Sequence, residues 1–341
     1  MSNKHAHYDL VQMQSLPLEA KIIMTQQRIR QWYEHWNGDV YVSFSGGKDS
    51  TVLLHLVRGL YPNVEAVFVD TGLEYPEIKE FVKGVENVTV IRPKKSFRQV
   101  IQEYGYPVGT KRIALNIEYG RKALERGDID MFENYVCGKR IGKRTKEEYR
   151  FMPLTERFMD LFYSEIKVSN KCCDVMKKKP MNDFQKKTSK KPIVGTLAEE
   201  SRQRKDGWFK TGCNSFEGKS PMSRPLSFWT EQDILHYIKK YNVPYCSVYG
   251  EIIADMPSEF EGQATIYDVF GDYEGIKLKT IGCDRTGCMF CMFGCHLEKE
   301  PNRFQRMKET HPQIYNYCMK PIEEGGLGLG KVLDYIGVKY D

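Results

Sequence analysis

The sequence predicts an α/β fold: a doubly wound, mainly parallel sheet with helices on both faces. Three observations predict it. Short apolar runs rich in valine, isoleucine and aromatics recur at residues 40–44, 63–70, 87–93 and 190–196. Most are followed by a segment of helical period, as in a chain of strand–helix units. The first run ends in a glycine turn, "SGGKDS" at 45–50, that opens directly onto a helical pattern. Ligands in such sheets sit at the carboxyl ends of the strands, and Asp70 closes the second run at the same level.

The elements follow in order. Residues 17–36 form an amphipathic helix whose apolar face includes Leu18, Ile22, Ile29, Trp32, Tyr33 and Trp36. The strand at 40–44 and a helix over 49–59 flank the glycine turn. "NVEAVFVD" is a buried second strand, and "TGLEYPEIKEFVKGV" a turn and helix with Pro76 near its start. "NVTVIRP" is the third strand, and helices are expected over 96–104, 111–126 and 146–162. "KKPIVGT" is a further strand after a long insertion. In "PLSFWTEQDILHYIKKYNVP", Thr230 caps a helix with Asp233 three residues on, and Pro244 lies beyond its end. The expected division is an N-terminal helix at 1–38, a glycine-turn domain at 39–245 with a basic insertion at about 94–170, and a cysteine-rich region and tail at 246–341.

The chain has 341 residues, 41% of them hydrophobic and 28% charged, enough for a proper core. No apolar run has membrane-spanning length, and the first residues lack the layout of a signal peptide, so no membrane association and a cytoplasmic location are expected. The net charge of +6 is concentrated in 94–150 and 171–191, where a polyanion could bind or the lysines simply be solvated. Ten cysteines in such a chain favour metal or redox chemistry over disulfides.

The turn at 45–50 carries the clearest chemistry. Gly46 and Gly47 let the backbone approach a ligand closely, and successive N–H groups form an anion cradle at a helix start. Ser45 and Ser50 add hydroxyls and Lys48 a positive charge. Asp49, a carboxylate beside phosphates, implies a bridging Mg²⁺. The spacing is not that of a Walker A loop. Read alone, the turn implies an anion at a helix start, and Asp70, Thr71 and Gly72 at the second strand end are the candidates to complete that site. Cys283, Cys288, Cys291 and Cys295 form a C-x4-C-x2-C-x3-C run that suits either a zinc ion or an iron–sulfur cluster. Met289, Phe290, Met292 and Phe293 would surround it with an apolar shell.

These segments carry a family resemblance. "FSGGKDSTVLLHL" resembles the PP-loop of the N-type ATP pyrophosphatases, and "VFVDTGLEYPEIKEF" the second motif of the phosphoadenylyl-sulfate (PAPS) reductase family. "NKCCDVMKKKP" is similar to the Cys-Cys segment of the adenylyl-sulfate (APS) reductase branch. "VGTLAEESRQR" is similar to the family's substrate loop, and "RPLSFWTEQDILHYI" to its tryptophan helix. The matches run from about 39 to 240 in family order. The resemblance implies an adenine-nucleotide α-hydrolase-like fold, ATP with Mg²⁺ at the loop, and attack at the α-phosphorus with release of pyrophosphate. Arg202 or Arg204 would neutralise an anion on the attacking side. It also implies a [4Fe–4S] cluster, as in APS reductases and the sulfur-transfer proteins of DNA phosphorothioation.

Two ligand sets are conceivable, and the compact one, Cys283, Cys288, Cys291 and Cys295, is the expected set. APS reductases use the Cys-Cys pair with a later C-x2-C, here Cys172, Cys173, Cys288 and Cys291. The compact set 283/288/291/295 closes without a long loop and leaves Cys172 and Cys173 to carry sulfur, their thiols acidified by Lys171 and Lys177–Lys179.

The sequence departs from the reductases in two respects. Their phosphate loop has lost Lys-Asp, whereas Lys48 and Asp49 are kept here. Their C-terminal Glu-Cys-Gly segment is matched only loosely by "FGCHLE". The favoured expectation is therefore an ATP-using adenylyltransferase/sulfurtransferase with Lys48, Asp49, Cys172, Cys173 and Arg202 as catalytic residues. Its sulfur would come from a donor or a cysteine desulfurase-type partner, and DNA, tRNA or a small compound would accept it. The alternatives are an APS/PAPS reductase and a non-catalytic nucleotide-sensing subunit.

Overall fold

A computed structural model describes residues 4–141, 147–218, 220–255 and 275–341. They fall into two units: Met1–Asp70, Glu74–Arg92 and Met181–Thr286 form one, and Thr71–Leu73, Pro93–Pro180 and Gly287–Asp341 the other. The strands are β1 Val40–Ser43, β2 Ala66–Val69, β3 Val88–Ile91, β4 Lys139–Ile141, β5 Glu148–Arg150, β6 Lys191–Val194, β7 Asn214–Ser215, β8 Met222–Ser223, β9 Ile252–Ala254 and β10 Leu278–Thr280.

The first unit holds a six-stranded sheet in the order β3-β2-β1-β6-β8-β7. Only the β7–β8 pair is antiparallel. This is the expected mainly parallel sheet. β1 is its hub: Val42 is in register with Ala66 of β2 on one side and with Ile193 of β6 on the other. Val40, Tyr41 and Val42 are buried, as a strand covered on both faces requires. The Tyr41 hydroxyl accepts from Gln185 Nε2 at 2.8 Å, and burial pushes its pKa up to about 12.

Helices α1 (His7–Gln14), α2 (Leu18–His35), α3 (Lys48–Leu60) and α4 (Pro76–Lys83) pack around this sheet. On α2, Ile22, Ile29 and Trp32 recur on one buried face. On α3, Val52, Leu53, Leu56 and Val57 are all buried. The helix Glu231–Tyr241 begins as its sequence predicts. Thr230 Oγ1 accepts from Asp233 N at 3.3 Å, and Asp233 Oδ2 accepts from Thr230 N at 2.6 Å. Asp233 also accepts from the buried Lys21 ammonium of α2 at 2.7 Å, so one carboxylate caps one helix and anchors another.

The second unit contains the helices Phe97–Tyr104 and Lys111–Arg126, both close to expectation, and a ribbon of β4 and β5. The helix expected over 146–162 does not form. Residues 148–150 pair with 139–141 as β5, and only Glu156–Phe158 and Met159–Tyr163 are helical. Pro153 cannot sit within a helix without removing a backbone bond, and Tyr149 and Phe151 alternate with Arg150 in a strand-like pattern.

The units are discontinuous in sequence, unlike the linear division expected. The basic stretch 94–170 joins residues 287–341, whereas 246–286 belongs to the sheet unit. The cause is topological: β6 must return to pair with β1, so the residues between are looped out into the second unit. No helix among the described residues is long and apolar enough to cross a membrane.

Lys21→Met is expected to cost about 3–5 kcal/mol, because it strands a carboxylate in a largely buried position. Chemical denaturation of the variant checks this, and a loss below about 1 kcal/mol would show that Asp233 finds enough solvent alone.

Candidate active site

The loop between β1 and α3 is shaped by its glycines. Gly46 has φ +73°, and a Cβ there would meet Ile78 Cγ2 at 2.8 Å and Val82 Cγ2 at 3.0 Å, so only glycine fits both the turn and the α4 contact. Gly195, just after β6, lies against the first turn of α3. A Cβ there would sit 3.0 Å from Asp49 O and 3.2 Å from Ser50 Cα, both backbone atoms that cannot yield. The serines tie the turn together. Ser50 Oγ accepts from Ser45 N at 3.2 Å and donates to Gly47 O at 2.9 Å, while the two serine hydroxyls are 3.0 Å apart.

Lys48 is buried. Its ammonium donates to Asp284 O at 2.7 Å and pairs with Glu231 Oε1 at 3.0 Å. Its backbone N–H donates to the Tyr249 hydroxyl at 3.1 Å, which in turn shares a 2.6 Å hydrogen bond with Thr286 Oγ1. Burial pushes the Tyr249 pKa up to about 12, keeping it a neutral donor. Asp49 is the unbalanced group. Its Oδ1 is buried with no hydrogen-bond partner among the described residues. Burial raises its pKa, opposed by the charges of Lys48, Arg285 and Arg204. An orphaned carboxylate oxygen beside an anion cradle fits a divalent cation of the Mg²⁺ class.

The arginines divide. Arg202 starts the helix Arg202–Thr211 with its side chain 94% exposed, and its nearest carboxylate is Asp206 at 3.9 Å. Arg204 instead pairs with Glu200 and feels the charge of Asp49. Of the two arginines considered for this position, Arg204 therefore lies near the loop carboxylate, and Arg202, expected among the catalytic residues, faces solvent. Arg285 joins this group, 3.7 Å from Glu200. Asp70 closes β2 and pairs with Lys79 at 2.8 Å and Arg92 at 3.1 Å. Thr71 and Gly72 belong to the second unit. The sequence reading missed Glu231, Tyr249, Asp284, Arg285 and Thr286. Glu231 was visible only as part of a cap, and the others are separated from the loop by about two hundred residues.

The cysteines also divide. Cys172, Cys173, Cys288, Cys291 and Cys295 lie in the second unit and Cys283 in the first, where it influences Cys246. Burial raises the Cys172 pKa, and the charges of Cys173, Cys288 and Cys291 raise it further against the weaker pull of Lys177. This reverses the acidification expected for Cys172: burial and neighbouring sulfurs outweigh the lysines. Cys173 precedes a π-helical turn, Asp174–Lys178, of a kind that often marks functional sites. Met289, Phe290 and Met292 are buried and Phe293 is half-buried. Arg303 donates to Cys291 O at 2.7 Å and pairs with Glu298. Among the described residues no three metal-ligating side chains form a closed metal site. Cys172, Cys173, Cys288 and Cys291 nevertheless share one electrostatic neighbourhood, a donor set of the kind that iron–sulfur clusters use.

Comparison with known proteins gives one family. The profile described as phosphoadenosine phosphosulfate reductase domain matches residues 39–114 and 117–292. An uncharacterized protein of Methanocaldococcus jannaschii is 40% identical over 84 residues, 23% of this chain and 18% of that one. A second protein of that organism, also uncharacterized, is 20% identical over 93% of this chain and 55% of its own. The chain therefore spans well under two thirds of either. An adenosine 5'-phosphosulfate reductase of Lysinibacillus sphaericus is 25% identical over 64% of this chain and 70% of its own.

The raised Asp49 pKa has a stability consequence. The folded state binds this proton more tightly than the unfolded chain, so the penalty is absent below the ordinary value of 3.8 and complete above the raised one. Asp49→Asn is expected to raise stability at pH 7 by about 1 kcal/mol. The gain should vanish in acid. Thermal melts across pH check it, and a gain that is independent of pH would assign the effect to packing.

Proposed function

The chain belongs to the phosphoadenosine phosphosulfate reductase domain family, and from that membership we propose that it uses ATP to adenylylate an acceptor for sulfur transfer. The acceptor's nucleophile attacks the α-phosphorus, the α–β bond breaks, and pyrophosphate leaves. A sulfur nucleophile from a donor or desulfurase-type partner then displaces AMP. The observation that carries this reading is the complete "SGGKDS" loop with its orphaned Asp49 oxygen. A loop that held only a sulfate ester would have no use for a buried, uncompensated carboxylate.

Each residue has a role. The N–H groups of the loop and the Lys48 ammonium stabilise the departing pyrophosphate. Lys48 must exchange Glu231 for phosphate to do so. Asp49 would hold Mg²⁺, which offsets phosphate charge. Arg204 and Arg285, both near Glu200, neutralise an anion on the attacking side. Asp70, with its two cations, orients the nucleotide from the end of β2. Cys172, Cys173, Cys288 and Cys291 are the set best disposed to hold a [4Fe–4S] cluster, with zinc as the alternative metal. When bound, the cluster would supply sulfur or electron chemistry. The buried Met289, Phe290 and Met292 exclude water from that region.

A second reading, reduction of APS or PAPS to sulfite, is favoured by the similarity to the APS reductase of Lysinibacillus sphaericus. Anaerobically purified protein separates the two. With ATP and Mg²⁺, candidate acceptors should yield AMP and pyrophosphate. Sulfite from APS or PAPS with a thiol reductant, and no pyrophosphate from ATP, would establish the reductase instead.

Two variants sharpen the test. Lys48→Ala is expected to slow pyrophosphate release by about 10²–10³-fold while leaving the iron content intact. Cys172→Ser is expected to lose iron and sulfide on reconstitution, and Cys283→Ser to keep them. The reverse pattern would restore Cys283 to the ligand set.

A further inference from the structure

In the second unit, aromatic rings and guanidinium groups gather on one face of the β4–β5 ribbon. The antiparallel register sets Arg140 opposite Tyr149. Phe151 N donates to Gly138 O at 2.8 Å, so the pairing continues and Phe151 shares the face of Tyr149. The Tyr135 ring is stacked on Tyr119, with centroids 5.0 Å apart and planes 18° apart. Arg140 lies over Tyr135 at 5.6 Å. Arg112 lies between two rings, 6.0 Å from Tyr135 and 5.7 Å from Phe151.

Charge is distributed unevenly among these groups. Lysines take the neighbouring carboxylates: Lys122 pairs with Glu118 at 2.7 Å, and Lys139 with Glu133 at 2.8 Å and Glu148 at 3.5 Å. Arg112 and Arg140 have rings for partners and no carboxylate among the described residues. Burial and the charge of Arg140 lower the Arg112 pKa, as expected where two cations adjoin without an anion. The apolar groups are open to solvent: Tyr149 is 50% exposed, Phe151 43% and Met152 59%.

We propose that this Arg112–Arg140–Tyr149–Phe151 face binds single-stranded nucleic acid. A guanidinium whose partners are rings and not carboxylates keeps N–H donors for phosphate oxygens. Exposed aromatic rings offer stacking surfaces to any unpaired base, and alternation of rings with unneutralised cations matches the alternation of base and phosphate along a strand. A hydrophobic protein partner would leave the paired guanidiniums buried without anions, at a cost that the phosphates avoid. The proposal deepens the functional reading above and rests on it for one point, that the bound strand is the acceptor.

The test is fluorescence anisotropy of the full chain with labelled oligonucleotides of about twenty residues, single-stranded DNA and RNA in separate arms and a duplex as control. Single strands are expected to bind in preference to duplex, with affinity falling as salt rises. Tyr149→Ala and Phe151→Ala should each weaken binding about tenfold. Arg140→Gln should weaken it and reduce the salt slope by about 0.7, the contribution of one phosphate contact. Arg140→Lys should keep the slope and recover only part of the affinity. Unchanged thermal midpoints exclude misfolding. No binding at about 50 mM salt, preference for duplex, or equal binding by the Tyr149 and Arg140 variants would overturn the proposal. Lys48→Ala separates the two readings, since it should bind strands normally. Lost strand binding with intact ATP cleavage overturns this surface alone, and strand binding without ATP cleavage overturns the reaction alone.

Discussion

Everything at the glycine loop Ser45–Ser50 depends on β1 being bonded on both sides. Its backbone is saturated by β2 and β6, and the chain departs from it in one direction and returns to it from the other. The connections that leave β1 and β6 therefore diverge, and a crevice is unavoidable at their carboxyl ends. The glycine turn fills one lip of that crevice. Gly195, at the end of β6, forms the other, with no side chain between the two backbones. Position and shape of the site are thus consequences of sheet topology before any catalytic group is considered.

Within the crevice, charge is balanced locally and incompletely. Lys48, Arg204 and Arg285 face Asp49, Glu200 and Glu231, and most of these groups have partners. Asp49 is the exception, held close to the dry side of the turn by Gly195 and raised in pKa by its burial. A protein built only for stability would not keep such a group, because each unpartnered buried oxygen costs about 1–3 kcal/mol. Strain of this kind concentrates where a ligand completes the structure.

Local signals in the chain conveyed the sheet and the loop well. The runs at 40–44, 63–70, 87–93 and 190–196 became parallel strands, and the Thr230–Asp233 cap has the reciprocal bonds that its spacing implies. The loop residues Ser45 to Ser50 could be read because six adjacent positions must supply one turn. The groups that partner them could not. Tyr249, Asp284 and Thr286 reach Lys48 through the tertiary fold, and nothing in their own neighbourhoods marks them. The neighbours of Cys172 were hidden for a related reason: Cys288 and Cys291, which influence it in the fold, lie more than a hundred residues downstream. The failed helix at 146–162 is the local counterpart: helical periodicity was outweighed by Pro153 and by a pairing partner seven residues away.

The engagement of Lys48 with Glu231 gives the loop a property of an ion exchanger. An arriving anion does not meet a bare ammonium. It displaces a carboxylate that already occupies the position, so what counts is the difference between the two anions. A singly charged intruder gains little by replacing one carboxylate with another group of equal charge. A chelating polyanion, able to use the backbone N–H groups in the same step, shifts the equilibrium decisively. Glu231, a carboxylate at the surface of the protein itself, would thereby be the standard against which a visiting anion is compared.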